Sequence, residues 1–329
     1  MARIFSGIQP SGELHLGNYL GAVKNWVALQ HQHESIIGIV DLHAITQPYE
    51  PGSLAQRTFE MASGLLAAGI DPETSTLVVQ SHVPQHAELM WALNSVTPVG
   101  ELERMTQFKD KSQRAESVPA GLLNYPILMA ADILLYKATL VPVGDDQVQH
   151  LEIAREIARR FNSRYGREVF PEPKPLLTTT ARLVGLDGQS KMSKSLGNTI
   201  GILEPPEAVW EKLRPAVTDP ARRTKKDPGE PGKCPIIYPL HQAFSPPETV
   251  ALVERNCRSA GWGCVDCKQA LADHLNPALE PIRARAAELA RRPDEVRGVL
   301  AEGARRCRAI AETTMDEVRS VMGFLRPGH

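Results

Sequence analysis

The sequence predicts an α/β protein, a doubly wound parallel sheet with helices on both faces, followed by a smaller all-helical domain. Two observations predict it. Short β-rich runs alternate with helical patterns of crossover length through the first half of the chain. Beyond about residue 203 the pattern changes to helices separated by Pro and Gly clusters, with few β-branched runs. The expected boundary is near residue 200, dividing the chain into 1–200 and 201–329.

Residues 3–8 (RIFSGI) read as the first strand. Leu16, Leu20, Val23 and Val27 follow at spacings of four, three and four, one face of an α-helix. Residues 35–40 (SIIGIV) form a second strand and 53–68 a second helix. The turn GIDPETS leads into a third strand at 76–80, and another helix covers 84–94. A strand at 139–143 (TLVPV) precedes a helix with Val148, Leu151, Ile157 and Phe161 turned inward. Residues 221–233 (ARRTKKDPGEPGK) read as a charged, mobile loop.

Composition narrows the classes of function. The 329 residues are 42% hydrophobic and 23% charged, which excludes disorder as the main state. With 37 basic and 38 acidic side chains, binding to nucleic acid by bulk charge is excluded, although a local basic patch is not. No apolar run reaches the ~18–20 residues of a membrane span, and the most apolar stretch, 122–136, is interrupted by Asn124 and Asp132. The N-terminus lacks the apolar core of a secretory signal. A cytoplasmic chain is expected, and its five cysteines point to thiols or metal ligation rather than disulfides.

Two segments carry chemistry. Gly7, Gly12, Gly17 and Gly21 flank the passage from the first strand to the first helix, where free N–H groups and the helix dipole favour an anion. His15 and Asn18, three apart, can face the same ligand; the plain alternative is an ordinary β–α turn, and the pattern is not Walker A. The second segment is KMSKS, Lys191 to Ser195. Its two ammonium groups and two hydroxyls suit a triphosphate, whereas alone it would read as a solvated basic loop.

PSGELHLGN (10–18) and KMSKS (191–195) together resemble the two signatures of class I aminoacyl-tRNA synthetases, with Asn18 replacing the last His of the first. SGIQPSG (6–12), GELERMTQFKDK (100–111), YPILMAADILLY (125–136) and VPVGDDQVQH (141–150) resemble bacterial tryptophanyl-tRNA synthetases, in register along nearly the whole chain. The resemblance implies a Rossmann-like catalytic domain ending in the KMSKS loop and a helical domain that binds the tRNA anticodon, its last helix able to pack back on the first. It implies tryptophan–tRNA ligase activity, with ATP and Mg²⁺, L-tryptophan and tRNA(Trp) as partners, in a homodimer with no membrane or DNA partner. Apolar helical surface between 84 and 136 permits that dimer.

By the same resemblance, ATP is contacted by Gln9, Pro10, Ser11, Gly17, Asn18, Gly144, Asp145, Asp146, Leu183 and Lys191, Met192, Ser193, Lys194, Ser195. Gly17 leaves room for adenine and His15 sits near the phosphates. Lys111, Lys191 and Lys194 supply charge for the departing pyrophosphate, and Mg²⁺ rests on phosphate oxygens with no protein ligand named. Asp132 accepts the indole N–H, while Phe5, His43, Tyr125, Met129, Val141, Val143 and Gln147 form or border the amino-acid pocket. On residue chemistry alone, a charge inside the apolar LMAADILLY run lines a site rather than meeting solvent, whereas Met129 and the valines could equally be core.

Cys234, Cys257, Cys264 and Cys267 have the spacing C-x22-C-x6-C-x2-C. Four thiolates fit tetrahedral Zn²⁺ or an iron–sulfur cluster, against a chance grouping of free thiols. The spacing resembles a subset of tryptophanyl-tRNA synthetases that carry a 4Fe–4S cluster, which implies a cluster serving as a staple for the anticodon domain. Cys307, outside the pattern, reads as a buried helical thiol. Arg222, Arg223, Lys225 and Lys226 could touch tRNA phosphates, but read more simply as a solvated charge run. The alternatives are a tyrosyl-tRNA synthetase, a non-charging paralogue that keeps the nucleotide site, and a plain tRNA-binding module.

Overall fold

The structure is a computed structural model that describes residues 1–112, 117–144, 147–177, 183–190, 192–193 and 196–325. Five strands form one parallel sheet: β1 (Arg3–Ile8), β2 (Glu34–Ile39), β3 (Ser75–Val79), β4 (Leu140–Val143) and β5 (Lys174–Leu177). Their order is β3-β2-β1-β4-β5. β1 and β2 run in register from Arg3 opposite Glu34 to Ile8 opposite Ile39. Between β1 and β4 only Ile4 faces Leu140, so these two strands splay apart towards their C-terminal ends. Chain connections leave β1 in opposite directions at this point, the place where a doubly wound sheet opens a crevice.

Alternation along the strands feeds two cores. Ile37, Ile39, Leu77 and Val79 face one, with Leu16, Leu65 and residues after 200 such as Val209, Leu240 and Leu275. Ile36, Val40 and Val78 face the other, with Leu93, Ile127, Ile133, Tyr136 and Phe161. Burial on both faces is why β2 reads as an unbroken apolar run.

The expected strands and helices of the first half are present within a few residues, and three details differ. The first helix contains a π turn at Tyr19–Val23, which adds a residue to the turn and shifts its face. Trp26 is therefore buried in place of Val27. Val148, expected inward, is only half-buried, whereas Leu151, Ile157 and Phe161 are core. β5 was not expected: its KPLL sequence contains proline and is mostly exposed, the mark of an edge strand.

After residue 200 the elements are helical, dominated by Cys264–Arg291 and the closing helix Pro293–Met322. The closing helix spans both cores, with Val296 and Leu300 in the first and Cys307, Ala311, Met315 and Val318 in the second. It crosses the edge strand β3 at Gly303, where a Cβ would lie 1.9 Å from the Leu77 carbonyl oxygen. Only glycine permits that approach, and the helix thereby covers part of an otherwise open sheet edge. Residues 221–233 are held down rather than loose: Asp219 accepts from the Ala221 and Glu230 amides, and Asp227 from those of Arg223 and Thr224. Among the described residues no helix is long and apolar enough to cross a membrane.

Candidate active site

A cleft of about 400 Å³ opens at the C-terminal ends of β1 and β4. β1 contributes Phe5, Gly7 and Gln9, and β4 contributes Val141, Val143 and then Gly144. The helix Ala120–Leu134 supplies Tyr125, Met129 and Asp132, while the short helix Asp41–Ala44 supplies His43. Asn18 and Gln147 also line it. Every residue expected to border an amino-acid pocket therefore lies on this one cleft.

Asp132 is 2% exposed, and an ionised carboxylate at such a depth must be saturated with donors. His43 Nε2 lies 2.8 Å from Oδ2. Oδ1 accepts from Gln80 Nε2 at 2.7 Å and stands 2.7 Å from His86 Nδ1. Burial alone would push the carboxyl pKa up, but the hydrogen bonds from His43 and His86 more than offset it. The group is held below the usual carboxylate range. Each carboxylate oxygen has two acceptor positions. Oδ1 uses both, whereas Oδ2, on the same side as His43, keeps one open. Gln80 and His86 were not expected as site residues; the available signal was a polar side chain adjoining each of two buried apolar segments.

Tyr125 also faces the cleft, its hydroxyl 2.8 Å from His150 Nε2, with burial pushing the phenol up to about 12. The Phe5 ring stacks on Tyr136 at 5.6 Å between centroids. An apolar wall, a carboxylate with an open acceptor position and a polar rim suit a flat aromatic ligand that carries one ring N–H.

The two signature segments meet, although nearly 180 residues separate them. Leu16 N donates to Ile200 O and Ile202 N to Leu14 O, both at 2.9 Å, bracketing a bridge between His15 and Gly201. A Cβ on Gly17 would fall 3.2 Å from Met192 Cβ and 3.0 Å from the His15 ring. Leu183 and Met192 share the core that contains Leu14 and Leu16. Ser193 N donates to Asn198 Oδ1 at 2.7 Å, and Asn198 Nδ2 to Asp187 Oδ2 at 2.8 Å. This bracing around the second segment was also not expected.

His15 and Asn18 cap one another: the Asn18 amide donates to His15 Nδ1 at 3.3 Å, and the His15 amide to Asn18 Oδ1 at 3.4 Å. With Nδ1 accepting, the proton of the neutral imidazole sits on Nε2. Pro10 and Ser11 leave β1 through a turn in which Ser11 N donates to Gln9 O. Asp145, Asp146, Lys191, Lys194 and Ser195, and the side chain of Lys111, lie outside the described residues.

Cys234, Cys257, Cys264 and Cys267 line a single cavity together with Arg222 and Trp262. All four are half-buried free thiols. Burial, and then the charges of the other three, push the Cys267 thiol up to about 12. Arg222 turns inward here, donating to the carbonyls of Lys225 and Trp262. As placed, no three His, Cys, Asp or Glu side chains among the described residues stand close enough to hold one metal ion. The donor set itself, four thiols on one cavity, is the chemistry that a bound cationic centre satisfies. Cys307 is fully buried in the closing helix.

Residues 1–280 match the family described as tRNA synthetases class I (W and Y). The chain is 57% identical to a tryptophan–tRNA ligase of Deinococcus radiodurans, covering 99% of this chain and all of the relative. It is 46% identical to that of Parasynechococcus marenigrum, over 98% of each. A Campylobacter jejuni tryptophanyl-tRNA synthetase solved with ADP and tryptophan superposes with a TM-score of 0.88 at 36% identity, covering 98% of this chain and all of that one. The cleft, the meeting of the two signatures and these relatives agree: the chain belongs to the tryptophanyl-tRNA synthetases of class I.

Proposed function

We infer that the chain is an ATP-dependent tryptophan–tRNA ligase, and the observation that carries its substrate choice is the buried Asp132 carboxylate with one acceptor position open to the cleft. A tryptophan carboxylate oxygen attacks the α-phosphorus of ATP, the bond to the bridging oxygen breaks, and the electron pair leaves with pyrophosphate. A ribose hydroxyl of the tRNA acceptor end then attacks the adenylate's carbonyl carbon and AMP departs. Neither step needs a protein nucleophile, so positioning and charge stabilisation carry the rate.

In this reading Asp132 Oδ2 accepts the indole N–H, between Phe5, Met129, Val141 and Val143, with His43, Tyr125 and Gln147 at the rim. Phenylalanine offers no N–H and would leave a buried acceptor unpaired, at a cost of ~1–3 kcal/mol. Gln9, Pro10, Ser11, Gly17, Asn18, Gly144, Leu183, Met192 and Ser193 take ATP, with Asp145, Asp146, Lys191, Lys194 and Ser195. His15, Lys111, Lys191 and Lys194 answer the charge of the leaving pyrophosphate. Mg²⁺ arriving with ATP would supply further neutralisation of the phosphate charge. Residues 1–200 are the catalytic unit and 201–329 the unit that reads the tRNA(Trp) anticodon in the cytoplasm. The reading is supported by the packing of Met192 against Gly17, which joins the two nucleotide-binding segments.

The four cysteines are proposed to hold a 4Fe–4S cluster that staples Cys234, the end of the helix Pro247–Arg258 and the start of Cys264–Arg291. Support comes from their convergence on one cavity. A homodimer is proposed through helical surface between residues 84 and 136, where Trp91 (79%) and Val99 (57%) are exposed.

Asp132→Ala is expected to lower kcat/KM for tryptophan in pyrophosphate exchange by about ten- to a hundredfold while ATP still binds; an unchanged value removes Asp132 from this role. Protein purified without oxygen is expected to contain iron and acid-labile sulfide in equal amounts. One zinc per chain and no visible absorbance would reject the cluster. Sedimentation at micromolar concentration is expected to show two chains, and a monomer would discard the proposed interface.

A further inference from the structure

Behind Asp132, out of reach of the cleft, lies a row of buried polar groups that the reaction does not touch. His86 is 1% exposed, and Tyr136 and Cys307 are fully buried. His86 Nε2 stands 2.7 Å from the Tyr136 hydroxyl, and Cys307 on the closing helix is buried beside that same hydroxyl. None of the three lines the cleft.

With His86 as the neutral imidazole, the protons in this row fall in one order. Asp132 is ionised and has nothing to donate, so the proton between it and His86 belongs to Nδ1. In the neutral imidazole the other nitrogen, Nε2, is then an acceptor. The Tyr136 O–H must then donate to Nε2. Burial holds the phenol well above its usual range and pushes the Cys307 thiol up to about 12, so both keep their protons. The order is Tyr136 O–H to His86 Nε2, and His86 Nδ1–H to Asp132 Oδ1.

We propose that Tyr136 is a positioning residue for amino-acid specificity: its hydroxyl locks His86 in the Nδ1–H tautomer, which fills Oδ1 of Asp132 and leaves the open acceptor position on Oδ2, in the cleft. This rests on the reading of Asp132 as the acceptor of the indole N–H. If the Tyr136 hydroxyl is removed, Nε2 is a buried acceptor without a donor. The imidazole proton can then move to Nε2, which presents a lone pair to Asp132 in place of a proton. Asp132 rotates or takes up a proton to avoid it, and either response degrades the acceptor offered to the indole. Packing alone would not produce this effect, because Tyr136→Phe keeps the ring and its stacking on Phe5.

The test compares tryptophan with β-(3-benzothienyl)alanine, whose sulfur replaces the indole N–H in nearly the same shape. Dissociation constants of both are measured by calorimetry for the intact protein and for Tyr136→Phe, together with KM for ATP and a thermal melt. Tyr136→Phe is expected to weaken tryptophan about tenfold, leaving the benzothienyl analogue and KM for ATP within about twofold. The preference for the N–H ligand then falls about tenfold. Equal loss for both ligands, or no loss, overturns the proposal. His86→Gln, whose amide can still donate to Asp132, is expected to keep more of the preference than His86→Leu, and the same loss in both also counts against it. Asp132→Ala separates the two layers: if it leaves the preference intact, the indole reading itself fails. If it abolishes the preference while Tyr136→Phe does not, only the positioning role fails.

Discussion

One constraint organises the site: an ionised carboxylate buried at 2% exposure must be given donors from every direction except that of the substrate. Asp132 draws those donors from three separate places, His43 after β2, Gln80 after β3 and His86 at the start of the next helix. His43 and Gln80 lie just beyond the C-terminal ends of β2 and β3, and His86 in the helix that follows β3, so the parallel sheet is what brings them to one point. The splay of β1 from β4 leaves the cleft above the carboxylate, and the apolar walls around it keep the local dielectric low. Under those conditions a single N–H more or less on the ligand separates a satisfied site from an unsatisfied one.

The nucleotide side depends on a second long-range junction. A segment from the first βα connection pairs with residues 200–202, and this pairing carries Met192 onto Gly17. Because the Leu14 and Leu16 side chains are buried in the same core as Leu183 and Met192, the junction is held by apolar burial as much as by its two hydrogen bonds. Asp187 and Asn198 brace the turn between them. The segment that carries the lysines is therefore anchored at its flanks.

Much of this was legible before any coordinates. β1 to β4 follow from β-branched runs, and Asp132 stood out because a charge inside LMAADILLY fits a site lining better than a surface carboxylate on a helix. β5 was hidden by its prolines and its exposure, since an edge strand needs no apolar pattern. Trp26 was misjudged against Val27 because a π turn changes the helical period, which no local propensity signals. Gln80 and His86 were missed for a related reason: a lone polar residue beside an apolar segment acquires meaning only when its partner, about fifty positions away, is known. Arg222 likewise sits in a run that looks like solvated charge, yet it folds inward onto the cysteine cavity.

The most direct measurement is a crystal structure of this chain with tryptophan bound. The account requires the indole nitrogen about 2.9 Å from Asp132 Oδ2, with the bonds from Gln80 and His86 to Oδ1 preserved. An indole nitrogen bonded to another group, or an Asp132 side chain turned away from His86, would contradict it.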